Sequence, residues 1–322
     1  MFQLNIFAMT GQCRYPPVSL PEVDIERIPI PSGGSRDFVC RKGVYVAADA
    51  ISSGLVPDWR DNVTAIEALG YRKDDVFICA YPKAGTHWLW EITTMLLNGR
   101  TEYSPVSKVT SMIEFSSPDD LTSLKSPRVF NTHLPYHLLP TEARRNGGRI
   151  IFIQRNPKDV AVSYFNMLSK KRQAFAGDFN DWIQLFLFHP GYPKNWFEYT
   201  LEWEQVMRTE RRLNLHMIYY ENLKKSPIEE IGRLSRFLGS STDGQFISEV
   251  VNRCSFGNLK RVNGETKDLS NFNGEKSMFD SIFRKGEIGD WRNWFTVAHN
   301  EIFDNVLFDK MKNSSFRYQY TV

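Results

Sequence analysis

The octapeptide Tyr81-Pro-Lys-Ala-Gly-Thr-His-Trp88 sets a lysine two residues before a glycine and a threonine directly after it. Gly85 permits a tight turn, and the amides that open the following helix have no carbonyl partners of their own. With the helix dipole they form an anion site, to which Lys83 adds a full charge and Thr86 a hydroxyl donor. The loop is not the GxxxxGK[ST] motif of ATP and GTP hydrolases, because its lysine precedes its glycine and no Gly-Lys pair occurs in the chain. Arg155 and Ser163 make a second candidate grip. The arginine ends a strand-like run, and the serine lies two turns into the next helix on a face that points back. A guanidinium with a hydroxyl clamps a phosphate monoester well, although either residue alone is ordinary solvated surface. Arg284-Lys285-Gly286 offers two cations and a flexible backbone, and as an isolated run it too would be plain surface. His133 stands in a short turn fixed by Pro135. A neutral imidazole, with an unperturbed pKa near ~6.5, can take a proton at neutral pH, but an unsupported histidine is more often a packed or surface residue.

These residues need a scaffold that gathers them, and the hydrophobic pattern supplies one. Asp75–Ala80, Arg128–Asn131, Arg149–Gln154 and Leu215–Tyr220 read as strands. Helices are expected over Thr86–Asn98, stopped by Gly99, from Pro157 onward, and over Ile228–Leu238 after Pro227. Strands alternating with helices predict an α/β fold: one domain with a central, mostly parallel sheet flanked by helices and a P-loop-like strand–loop–helix. Ligands in such folds sit at the carboxyl ends of the strands, where the motifs above fall. Residues 10–37 carry Pro16, Pro17, Pro21, Pro29, Pro31, Gly33 and Gly34. Residues 1–40 are therefore read as an arm outside the core, a candidate for disorder, and residues 41–322 as the folded domain.

The chain has 322 residues, 42% of them hydrophobic, enough for a large core. Its 40 basic residues nearly match its 37 acidic ones, which disfavours a general nucleic-acid binder. Cys13, Cys40, Cys79 and Cys254 lie far apart without metal-ligand rhythm, so free thiols in a reducing compartment and no metal are expected. The N-terminus lacks the basic and apolar regions of a secretion signal, and no run approaches the ~20 apolar residues of a membrane span. A cytoplasmic protein is the expectation.

Five segments, in order, resemble the cytosolic sulfotransferases. Tyr81–Trp88 is similar to the family's 5′-phosphosulfate loop, Tyr-Pro-Lys-Ser-Gly-Thr-Thr-Trp, and Asn131-Thr-His-Leu-Pro135 to its Lys-Thr-His-Leu-Pro. Arg155-Asn-Pro-Lys-Asp-Val-Ala-Val-Ser163 resembles the 3′-phosphate segment. Tyr220-Glu-Asn-Leu with Cys254-Ser-Phe256 resembles the adenine surroundings, and Arg284-Lys-Gly-Glu-Ile-Gly-Asp-Trp291 the C-terminal signature. The resemblance covers roughly residues 41–322 and implies sulfuryl transfer from 3′-phosphoadenosine 5′-phosphosulfate to a small lipophilic hydroxyl acceptor: a phenol, steroid or other alcohol. It implies that His133 is the general base and that Lys83 stabilises the leaving group. The donor would be bound by Lys83, Ala84, Gly85, Thr86, His87, Trp88, Arg155, Ser163, Tyr220, Cys254, Phe256, Arg284, Lys285 and Gly286. Read singly, Trp88, Tyr220 and Phe256 are core aromatics; the resemblance puts Trp88 and Phe256 on the faces of the adenine and Tyr220 at its edge.

Asn131, His133, Met112, Phe115 and Met167 fall on the acceptor side by the same likeness, though the last three read equally well as core. Three positions depart from the family pattern. Asn131 replaces a lysine and removes a cation near the transferring group, Cys254 replaces a threonine, and His87 replaces a threonine in the loop. Arg292-Asn-Trp-Phe-Thr-Val-Ala-His-Asn-Glu301 resembles the family's dimer motif, which implies a homodimer pairing Arg292 with Glu301 across a two-fold axis. A small-molecule kinase with a divergent loop and a non-catalytic ligand-binding relative are the alternatives.

Overall fold

A computed structural model describes residues 15–52, 54, 56–169, 175, 177–265 and 283–322. Strands β4 (Val76–Ala80), β5 (Val129–Thr132), β6 (Arg149–Gln154) and β7 (Asn214–Tyr219) form a parallel sheet in the order β5-β4-β6-β7. Central β4 is buried throughout, as expected of a parallel strand covered on both faces. The two-residue period divides its side chains between two cores. Phe77 and Cys79 join Phe130, Ile150 and Phe152 on one face. Val76, Ile78 and Ala80 join Val129, Ile151 and Ile153 on the other. The first face is sealed by aromatics such as Trp203, stacked on Phe152 at 4.7 Å between ring centroids. The second is covered by the helix Thr86–Asn98 through Leu89, Trp90, Ile92, Met95 and Leu96. At the strand starts, buried Arg128 joins β5 to β4 by an ion pair with Asp75 at 2.6 Å.

Strand ends and helix starts agree with the sequence pattern. Gly99 closes the helix Thr86–Asn98 in the left-handed region, and Pro157 and Pro227 open theirs. The proline-rich beginning of the chain differs from its reading as an arm outside the core. Strands β1 (Ile25–Pro29), β2 (Ser35–Arg41) and β3 (Val44–Ala47) form an antiparallel sheet, and Ile28, Phe38 and Val39 are buried in the first core. Pro29 closes β1, while Gly33 and Gly34 take positive φ in the turn before β2, so the breakers sit outside the strand interiors. β2 also crosses the proposed boundary at residue 40. Residues 1–14 lie outside the described residues.

Candidate active site

The four parallel strands end side by side, and each passes directly into a segment singled out above: Tyr81–Gly85, His133, Arg155 and Tyr220. After β4, Lys83 and Gly85 both adopt positive φ, 71° and 114°. Alternate left-handed residues curl the backbone into an amide-lined hollow before the helix at Thr86. For Lys83 that conformation costs energy that a glycine there would not spend. At Gly85 a Cβ would lie 2.9 Å from the Tyr220 ring, so the loop is closely packed against the end of β7.

Arg155 holds the loop from the neighbouring strand. One terminal nitrogen donates to the Lys83 carbonyl at 3.2 Å, the other to the Glu287 carbonyl at 3.0 Å, and the guanidinium lies 4.3 Å over the Tyr220 ring. Tyr220 in turn meets Trp88 edge-on at 5.5 Å. Ser163 is half-buried on the helix Pro157–Ser169 that begins just after Arg155.

Asp159, on the same helix, docks the C-terminal signature. Its carboxylate accepts from the Gly289 and Trp291 amides at 2.8 and 3.0 Å and from the Asn156 side chain at 2.9 Å. Asp290 then gathers Arg284, Lys285 and Asn293. Burial alone would raise the Asp290 pKa, but the hydrogen bonds from Lys285, Asn293 and Arg284 outweigh it and hold it at about 2. Gly286 passes over Phe256 so closely that a Cβ would fall 2.3 Å from the ring. Phe256 meets Phe283 at 6.3 Å, which also meets His87 at 6.2 Å. Among the described residues, the buried Nε atoms of Arg155 and Arg284 find no hydrogen-bond partner. The backbone hollow, the flat rings and these two guanidinium donors fit a phosphorylated adenosine.

His133 is 7% exposed, and its Nδ1 lies 2.7 Å from the Ala80 carbonyl. A carbonyl can only accept, so Nδ1 carries the proton and Nε2 keeps its lone pair. Its backbone amide donates to Glu114, which also accepts from Thr132 Oγ1 and from the Tyr192 hydroxyl. Burial pushes the His133 pKa down to about 3, helped by the charges of Lys108 and Lys83. The imidazole is therefore neutral at physiological pH. Phe115 stacks on Tyr192 at 5.5 Å, Tyr192 meets His133 edge-on at 6.0 Å, and Lys83 Nζ lies 3.7 Å from Met167 Sδ. Met112 is buried and bridges to Asn131. The N-terminal sheet and the helix Pro157–Ser169 both help place this wall: the Tyr45 amide of β3 donates to the Pro193 carbonyl, and the Tyr164 hydroxyl of the helix to that of Tyr192.

Asn131 is fully buried, with its amide engaged by Lys108 and Ser111. Cys254 is 1% exposed, with its thiol 3.7 Å from Met95 Sδ. Sequence reasoning missed Asp159, Glu114, Tyr192 and Lys108. The first lay inside a quoted motif; the missing charge at Asn131 was the one hint toward Lys108. Among the described residues no group of three or more His, Cys, Asp or Glu is placed to hold a metal ion, and no helix is long and apolar enough to cross a membrane.

Cations, loop amides and a neutral imidazole gathered at the ends of four parallel strands suit group transfer from a phosphorylated donor. Residues 73–315 match the family model of the sulfotransferase domain, and the chain belongs to that family. It is 34% identical over 272 residues to sulfotransferase 1B1 of Mus musculus, covering 80% of this chain and 89% of the relative. To sulfotransferase 1C2 of Rattus norvegicus it is 30% identical over 273 residues, covering 80% and 90%. The crystal structure of mouse sulfotransferase SULT7A1 complexed with PAP superposes with a TM-score of 0.71 at 27% identity, covering 86% of this chain and 96% of that one.

Proposed function

We propose that the protein transfers the sulfuryl group of 3′-phosphoadenosine 5′-phosphosulfate to the hydroxyl of a small lipophilic acceptor, with His133 as general base. The observation that carries the mechanism is the 2.7 Å contact of His133 Nδ1 with the Ala80 carbonyl, which fixes the tautomer with a basic Nε2. The acceptor oxygen forms its bond to sulfur as the bond from sulfur to the 5′-phosphate oxygen breaks, and the acceptor proton passes to Nε2. Lys83 and the loop amides stabilise charge building on the leaving phosphate. A bound polyanion offsets the positive charges that depress His133, so the imidazole becomes a stronger base when the donor is present.

The grip of Arg155, Ser163, Arg284, Lys285 and Gly286 is assigned to the 3′-phosphate, with Trp88, Tyr220 and Phe256 around the adenine. Met112, Phe115 and Met167, with Tyr192, form an adaptable apolar wall for the acceptor. Thermal stabilisation by adenosine 3′,5′-bisphosphate but not by ATP supports this reading; the reverse pattern points to a kinase and defeats it. We place the protein in the cytoplasm, in keeping with the free thiols of Cys40 and Cys79. We also assign it a homodimer through Arg292 and Glu301, both exposed, with Val297 exposed beside them. A single monomeric species in sedimentation at micromolar concentration would refute the dimer.

A further inference from the structure

Position 131 carries no charge, yet an ammonium lies against it. Lys108 stands on the short turn Lys108–Ser111, which begins at Ser107 and folds back over β5. The side chain is 4% exposed, and its Nζ donates to Asn131 Oδ1 at 2.7 Å and to Thr86 Oγ1 at 2.9 Å. Asn131 returns a bond to the Lys108 carbonyl at 2.9 Å, so lysine and amide hold each other at backbone and tip. Thr86 is the first helical residue after the phosphate loop. An ammonium has donors and no acceptor. The Thr86 oxygen therefore accepts from Lys108, and its own hydroxyl proton is turned away, free to donate to an anion in the loop.

We propose that Lys108 is a positioning residue of the transfer site: it supplies from a different chain segment the cation that Asn131 lacks, and it orients Thr86 as a donor to the donor's 5′-phosphate. This rests on the sulfotransferase reading above. The chemistry calls for such a group, since an ammonium buried beside the anion site stabilises charge far better than a solvated one. Among the charged and titratable groups that face it, Glu114 favours its protonated form, while Lys83 and His133 sit across the same site. Burial lowers the Lys108 pKa to about 7, with Glu114 partly opposing. Between about pH 7 and the ordinary lysine range the unfolded chain binds more protons than the folded one, so the burial cost of the ammonium is present at low pH and fades as pH rises through that window. A bound phosphate restores the proton, so ligand binding takes up a proton above pH 7.

The test is the affinity of adenosine 3′,5′-bisphosphate by titration calorimetry between pH 7 and 9, above the second phosphate pKa near ~6. In the wild type Kd should rise roughly ten- to hundredfold across this range, because each pH unit above the free pKa costs up to about tenfold. Lys108→Met should bind more weakly at pH 7 and lose the slope, and its turnover should fall roughly a hundredfold. The double variant Lys108→Met/Asn131→Lys, which returns the charge by the other route, should recover most of that turnover. A flat wild-type profile overturns the proposal, as does a Lys108→Met protein that keeps the slope or a double variant with no recovery. If Lys108→Met does not fold, the wild-type profile alone decides. Absence of any bisphosphate binding at any pH would instead strike the sulfotransferase reading, which separates the two failures.

Discussion

Replacing Asp159 by Asn should weaken the donor's grip without touching the atoms that react. Asp159 Oδ2 accepts from the Gly289 amide and Oδ1 from the Trp291 amide, and the two bonds fasten the segment bearing Arg284, Lys285 and Gly286 to the helix that follows Arg155. In Asp159→Asn one oxygen becomes a donor and faces a backbone N–H, leaving at least one buried donor unpaired. A hydrogen bond to a charged group is worth about 1.5–3 kcal/mol, and an unsatisfied buried donor costs a similar amount. Docking of the segment should therefore lose about 2–4 kcal/mol. At 1.4 kcal/mol per tenfold, this limits the loss of affinity for adenosine 3′,5′-bisphosphate to roughly 30- to 1000-fold. The loss should show as a raised donor KM with kcat nearly kept, because His133 and Lys83 lie on other strand ends. Adenosine 5′-monophosphate, which has no 3′-phosphate, should lose much less in calorimetry. A variant that binds the bisphosphate within about twofold of the wild type, or that loses both nucleotides equally, would refute the reasoning.

His133→Ala should lower turnover by ~10²–10⁴ while adenosine 3′,5′-bisphosphate still binds, measured by initial rates and calorimetry; unchanged rates would remove His133 as base. The folded-state pKa of His133, about 3, lies below the unfolded value, so the unfolded chain binds more protons between them. Its contribution to stability is complete above about pH 6.5 and declines as pH falls toward 3. Its imidazole resonances should accordingly stay fixed from pH 7.5 to 5; a titration centred near 6.5 contradicts the burial argument. Arg128→Met strands Asp75 inside the protein and should cost about 3–5 kcal/mol in urea unfolding. A loss under about 1 kcal/mol would show the pair to be dispensable.

Much of the scaffold was legible because its signals are local. Proline opens the helices at Pro157 and Pro227, Gly99 stops another, and buried runs such as Arg149–Gln154 mark the sheet. The segments proposed to hold the donor were legible as motifs, and topology brings them together at the strand ends. What escaped is held by contacts without a sequence period. Lys108 reaches Thr86 and Asn131 from a short turn, and Glu114 joins His133, 19 residues on, to Tyr192, 78 residues on. The N-terminal sheet escaped because proline content was read as exclusion from strands, whereas Pro29 occupies a strand end. Asn131 illustrates the same limit: its type showed a missing charge, but not that the amide itself holds a replacement.

The most direct measurement is transfer of labelled sulfate from 3′-phosphoadenosine 5′-phosphosulfate to a panel of phenols, steroids and other lipophilic alcohols. A sulfate ester of at least one of them is expected, formed without ATP and abolished or greatly slowed in His133→Ala. No ester with any acceptor, from protein that still binds adenosine 3′,5′-bisphosphate, would contradict it and leave a ligand-binding relative in its place.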